Sequence, residues 1–290
     1  MYALTLLACA APLLPGERVL GVDIPATFTY GGPGDRLGAS VAGRDGSWIA
    51  SAPGAEQTWR DGAATDAPSV WVGFWGGSEV FVSAEGQVRI DGAARWAVPE
   101  ALAWAVGGER LVAATPAGLL FVERELLVPV AGLEAVAVGA ERVLGLVCDD
   151  DACVGDAWTF DGAALGTFAS AGVGGAVGEW DGRAWAGAPD WADPEGPGRV
   201  EAEDGAVVEG LPGDHLGATL GGGFTAGTFN KWVVPARARV VPLDGGTVLA
   251  IEAGAELQPL VLGGDTTLLV GAPYAAAHGE PSGAVIEVVP

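Results

Sequence analysis

One phrase recurs along the chain and limits what it can fold into. A short apolar run ends on Ala-Pro at "WIASAPG" (48–54), "AWAGAPD" (184–190) and "LLVGAPY" (268–274), and each is followed by a polar loop and a second apolar run. Fainter copies occupy the intervals. "LAWAVGGERLVAATPAGLLFV" (102–122) has the same shape, and "SVWVGFWGGSEVFVSAEGQVRI" (69–90) aligns with it, with Glu85 at the place of Pro116. "LEAVAVGAERVLGLVCDD" (133–150) follows, and "GATLGGGFTAGTFNKWVVPARARVV" (217–241) supplies a further copy. The anchors fall at Pro53, Glu85, Pro116, Cys148, Pro189, Pro235 and Pro273, and by subtraction their spacings are 32, 31, 32, 41, 46 and 38 residues.

A period in this range, with three or four strand-length runs per unit and no helical periodicity, predicts a radial array of small sheets. A unit this small cannot bury both its faces; stacking on its neighbours completes the core. The expected fold is all-β: a single β-propeller of seven short four-stranded blades, with six blades as the alternative. The last unit ends at "GAVIEVV" (283–289), one strand short. "ATFTYGG" (26–32) is strand-like and precedes the first unit, so it is expected to supply the missing outer strand and remove a free edge. The propeller is expected over 17–290, after a targeting segment at 1–16.

Gly (48 residues) and Pro (19) are numerous enough to raise the question of disorder. They alternate with Val, Leu, Trp and Ala runs of four to seven residues, which is the rhythm of strands joined by tight turns. Small residues suit strands that crowd towards an axis, as in "GASVA" (38–42) and "GATLGG" (217–222). Most of the tryptophans, among them Trp48, Trp104, Trp185 and Trp232, are expected to wedge between blades. Fourteen basic residues against 37 acidic ones leave a formal net charge of −23. Such a surface repels phosphate backbones and anionic headgroups, which disfavours nucleic-acid or peripheral-membrane binding.

The N-terminus reads "MYALTLLACAAPLLPGE". Its apolar stretch from Ala3 to Leu14 is too short to span a bilayer and has the length of an export-signal core. "LLAC" (6–9) resembles the bacterial lipobox, in which Cys9 would be acylated and become the mature N-terminus. A plain secretory signal cut near Ala11 and a buried first strand are the competing readings. Cys148 and Cys153 stand close together in "GLVCDDDACVGDAW" (145–158), where a hairpin end would bring them within bridging distance. An even pair in an exported chain is expected to form a disulfide. A calcium site built from Asp149, Asp151 and Asp156 is the alternative for this loop, although the regular Asp-x-Asp-x-Asp-Gly spacing is missing.

"GDRLGASVAGRDGSWIASAPGA" (34–55), "GDHLGAT" (213–219) and "TTLLVGAPYAAAHGEPSGAVIEV" (266–288) resemble FG-GAP repeats, the units of the integrin-alpha-type β-propeller. The match is good in units one, five, six and seven, weak in units two to four, and spans most of 34–290. The resemblance implies a propeller fold, and for exported bacterial members a lipoprotein or a surface adhesin. Many members carry an Asp-x-Asp-x-Asp-Gly calcium loop before the Gly-Ala-Pro strand. Here only Asp45–Gly46 and Asp181–Gly182 remain at those places, too few oxygens for a calcium cage. Each Asp-Gly is therefore expected to form a hairpin turn.

No catalytic residue, cofactor-binding residue or metal ligand is assigned. The two histidines, His215 and His278, lack ligand or nucleophile spacing; no Gly-x-Ser-x-Gly or His-Glu-x-x-His occurs, and "GGG" (221–223) lacks the Lys and Ser/Thr of a phosphate loop. The expectation is a monomeric, non-enzymatic, extracytoplasmic propeller that binds or scaffolds a protein or glycan partner at the cell envelope. Membrane contact is expected only through an N-terminal lipid. The alternative is a propeller hydrolase or lyase acting on an extracellular polymer, whose mark would be acids converging at one end of the central channel.

Overall fold

A computed structural model describes residues 17–149, 152–191, 196–227, 237–251, 261–263, 267–277 and 280–288. Seven sheets follow one another around a ring, each antiparallel within its blade and each meandering outward from an innermost strand. Blades one to five span 41–65, 71–97, 103–129, 133–171 and 177–209; blade six spans 219–251 and blade seven 261–288. The innermost strands of successive blades lie side by side, and Val261–Gly263 of the last meets Val41–Arg44 of the first. The ring is closed and has seven blades, which excludes the six-bladed alternative. Among the described residues the only helical segment is the single 3-10 turn Val122–Arg124.

The repeated phrase is the second strand of each blade. Ser47–Ala52, Arg110–Thr115 and Arg183–Ala188 are buried along nearly their whole length, because the neighbouring blades cover both faces. That double burial explains why the strands are rich in Ala and Gly rather than alternating polar and apolar. Pro53, Pro116, Pro189 and Pro273 each stand immediately after such a strand, where their missing N–H costs no ladder bond. Cys148 lies at the end of the equivalent strand Arg142–Asp149, and Glu85 in the turn after Ser78–Val82. Blade six departs from the expected alignment. Its second strand is Phe224–Ala226, so Pro235 stands beyond the end of that strand, in a stretch outside the described residues.

The expected closure is present. Ala26–Tyr30 pairs antiparallel with Ala284–Val288, from Ala26 opposite Val288 to Tyr30 opposite Ala284, and forms the outer strand of blade seven. A second N-terminal strand was not expected. Glu17–Val19 adds in parallel to Val248–Ile251 as a fifth strand on blade six. It is held by a buried ion-pair cluster: Glu17 lies 2.6 Å from Arg239 and 3.6 Å from Arg237, while Arg239 also donates to Asp214 at 2.7 Å. The same arm carries Leu20 and Phe28 into the core shared by blades six and seven.

Tryptophans fill seams between blades, as anticipated. Trp48 packs with Leu269 and Val285 of blade seven, Trp185 with Leu243 of blade six, and Trp104 lies 6.3 Å from Trp71 of blade two. Trp232 lies outside the described residues.

Candidate functional site

Two ends and an axial channel are the places where a propeller of this construction can meet a ligand. The channel holds about 560 Å³ and is lined by all seven innermost strands. Its side chains are mostly small or apolar, Val41, Val72, Ala105, Val136 and Val177 among them, with backbone polar groups between them and Trp180 beside Gly223. Glu179 is the one carboxylate among the described residues of this lining, and it is engaged: Arg142 Nε donates to it at 3.0 Å and the Ala140 amide at 2.8 Å. Ser40 is occupied as well, its Oγ accepting from the Val72 amide at 3.1 Å across the seam between blades one and two. Among the described residues this wall offers shape and small apolar contact rather than a paired acid and base.

At one end the strands are joined by tight turns. Asp45–Gly46 and Asp181–Gly182 are two-residue hairpin loops between the paired residues Arg44 and Ser47 and between Trp180 and Arg183. All four loop residues have positive φ, as a type I′ turn requires. Arg142 of blade four crosses the seam at this end. Its guanidinium makes two hydrogen bonds to Glu203 at 2.8 and 2.9 Å, one to Glu179, and one to the Gly182 carbonyl at 3.1 Å. The hydrogen bonds to Glu203 hold the arginine pKa above its ordinary value, and the Arg142 contact holds the Glu203 carboxyl below the usual carboxylate range. This bidentate staple joins partners 37 and 61 residues apart, so no local pattern could have announced it.

The opposite end carries the loops after each second strand and the connections between blades. Here the "GDxLG" phrase acts as a latch. Leu37 and Leu216 are fully buried, and each forms an isolated parallel bridge to the blade before it, Leu37 with Gly283 and Leu216 with Gly198. The preceding aspartates cap the turn: the Asp35 carboxylate accepts from the Gly32 amide at 2.6 Å, and Asp214 from the Leu211 amide at 2.8 Å. Between Asp and Leu, Arg36 and His215 adopt left-handed backbone (φ 57° and 49°) and point to the residue after Ala-Pro in the previous blade. Arg36 lies over the Tyr274 ring at 5.4 Å, and His215 Nδ1 is 3.6 Å from Asp190. Beside Asp190, the partly exposed Trp191 has the Arg199 guanidinium over its ring at 4.9 Å.

Cys148 and Cys153 also lie at this end. They face each other across the hairpin of blade four and are joined by a disulfide. Because the Cys148 amide donates to Gly132 on the other side, the cysteines form a non-hydrogen-bonded pair, the arrangement that brings side chains closest. Glu134 is near both sulfurs, but the sulfurs are committed to each other. The calcium alternative is not assembled by the described residues. Asp149 stands at the exposed hairpin end opposite Ala152, while Asp156 is four residues further down its strand and accepts from Thr167 Oγ1 at 2.6 Å. At about 3.4 Å per residue the two carboxylates stand roughly 14 Å apart along the strand. Asp151, Cys9 and His278 lie outside the described residues.

No protein-family model matches the chain, and no curated protein is significantly similar to it in sequence. Solved structures do match. PorZ of Porphyromonas gingivalis, a bacterial surface component of the type-IX secretion system, superposes with TM-score 0.54 at 12% identity, covering 91% of this chain and 39% of that one. A chain of a mitotic checkpoint complex gives 0.53 at 10% identity, with 92% of each chain covered. The computationally designed Ika8 protein gives 0.52 at 13% identity, covering 87% and 83%. At these identities the likeness establishes the fold and nothing finer.

Proposed function

We propose that the protein is an extracytoplasmic, non-enzymatic β-propeller that binds or scaffolds a protein or glycan at the cell envelope, and that its units are diverged FG-GAP repeats. The observation that carries this reading is the Cys148–Cys153 disulfide on a loop-bearing end of the ring. A stable bridge of this kind belongs to an oxidising compartment, which agrees with an export segment at 1–16. The binding half of the reading is supported by the channel wall, whose carboxylate, Glu179, is already held by an arginine. Attachment is through an acylated Cys9, with the propeller otherwise held off anionic membrane surfaces by its net charge of −23.

The test is fractionation of the native host with metabolic palmitate labelling, followed by cross-linked capture of partners from the envelope fraction. The expected result is label on the wild-type protein, none on Cys9→Ala, and a reproducible envelope partner. Recovery in the cytoplasm with reduced thiols contradicts the location. Depolymerisation of an extracellular polysaccharide, abolished by Glu179→Gln, contradicts the non-enzymatic assignment.

A further inference from the structure

The loop-bearing end contains one constellation that the latch does not need. We infer that Trp191, Asp190 and His215, backed by Arg199, form a binding site for a neutral oligosaccharide. This deepens the glycan branch of the proposed function and rests on that reading. Trp191 keeps 37% of its surface exposed although most of the described tryptophans are seam wedges. Its main chain is fixed by a turn in which its amide donates to the Ala188 carbonyl at 3.2 Å. Arg199 covers the ring at 4.9 Å and is itself tied to Glu201 at 3.3 Å. The indole is thereby presented as a flat, pre-positioned platform that loses little freedom on binding.

The chemistry beside the platform selects the ligand class. The electron-poor C–H face of a pyranose stacks on an electron-rich indole, for the same quadrupolar reason that cations do. Asp190 is the adjacent exposed carboxylate, able to accept from two sugar hydroxyls, and His215 stands 3.6 Å from it. An uronate or phosphate polymer would meet a chain of net charge −23, so the sugar is neutral. The construction is repeated in simpler form at the seam between blades seven and one. There Tyr274, in the position of Asp190, carries Arg36 at 5.4 Å, and the Ala275 amide closes the equivalent turn to Ala272 at 2.9 Å. An aromatic side chain therefore recurs on the same end of the ring, which fits a polymer engaging more than one blade.

Titration calorimetry of the full chain with cellohexaose, maltohexaose and chitohexaose, and with an alginate hexamer as the anionic control, tests this. At least one neutral hexamer should bind and the alginate should not. Trp191→Ala should weaken that binding about tenfold, Trp191→Phe less, and Asp190→Asn measurably. Melting curves that match wild type show that each variant is folded; Trp191→Phe and Asp190→Asn keep the test decisive if Trp191→Ala is not. Absence of binding by all three neutral hexamers, or binding unchanged in folded Trp191 and Asp190 variants, overturns the inference. An envelope partner captured equally by wild type and Trp191→Ala would then leave the broader binding role standing as protein recognition.

Discussion

Leu37 illustrates how much one side chain of the repeated phrase does. It is fully buried at the seam between the last blade and the first, and its backbone bridges Gly283. Leu37→Ala should lower stability by about 2–5 kcal/mol, measured by denaturant unfolding, because truncating a fully buried leucine leaves a cavity in the seam. The next residue is equally constrained. Gly38 has φ +89°, and a Cβ on it would stand 2.4 Å from the Ala284 carbonyl oxygen, so Gly38→Ala is expected to destabilise by more than about 1 kcal/mol. The Arg142 staple gives a pH-dependent prediction. Glu203 has its pKa depressed in the folded state, so its contribution is present above the carboxylate's unfolded pKa and fades as pH falls through the folded one. Glu203→Gln should therefore lower Tm at pH 7, by an amount reflecting about 1 kcal/mol or less for this partly exposed pair, and the difference should vanish in acid. The latch was legible because its Gly, Asp and Leu recur at fixed offsets. The staple and the Glu17–Arg239–Asp214 cluster were not, since each joins residues that only the ring brings together.

Edge management decides the behaviour of whole strands. The outer strand of blade four, Ala164–Ala171, is eight residues long and carries no charge, the kind of edge that invites pairing with another chain. Two register shifts, at Gly155/Asp156 and at Ala157/Trp158, interrupt its ladder and blunt that edge. Blades six and seven solve the problem differently, by receiving strands from the N-terminal arm. Deleting 17–32 should therefore lower Tm sharply, since it opens two edges and uncovers the core around Leu20 and Phe28. An unchanged melting curve would contradict that. The hairpin of blade four makes a more modest prediction. Its disulfide closes a loop of only a few residues, so Cys148→Ser with Cys153→Ser should cost about 2 kcal/mol in denaturant unfolding without opening the ring. The outer strand at 26–30 could be anticipated from a last unit lacking one strand. The parallel strand at 17–19 could not, because three residues show no period and its support comes from Arg237 and Arg239, far along the chain.

At the scale of the molecule, a single rule, that each blade borrows its neighbour's face, accounts for the Ala- and Gly-rich second strands, the tryptophan seams and the small-walled channel. Blade number was readable from the anchors even where the Gly-Ala-Pro phrase had eroded to Glu85 or Cys148, because spacing survives substitution. The count holds at blade six as well, but there the anchor does not fall at the end of the second strand: the very short strands Thr219–Gly221 and Phe224–Ala226 end well before Pro235. The binding end was less legible. Trp191 and Asp190 are recognisable as a loop, but their meeting with His215 and Arg199 depends on how one blade enters the next. The central claim is that the ring is sealed by the N-terminal arm, and amide hydrogen exchange tests it most directly. The Thr27 and Thr29 amides, which point into the ladder with Ala284–Val288, should be as slow as those of 284–288, both opening only with global unfolding. Exchange of the Thr27 and Thr29 amides within seconds, while 284–288 remains protected, would contradict the sealed ring.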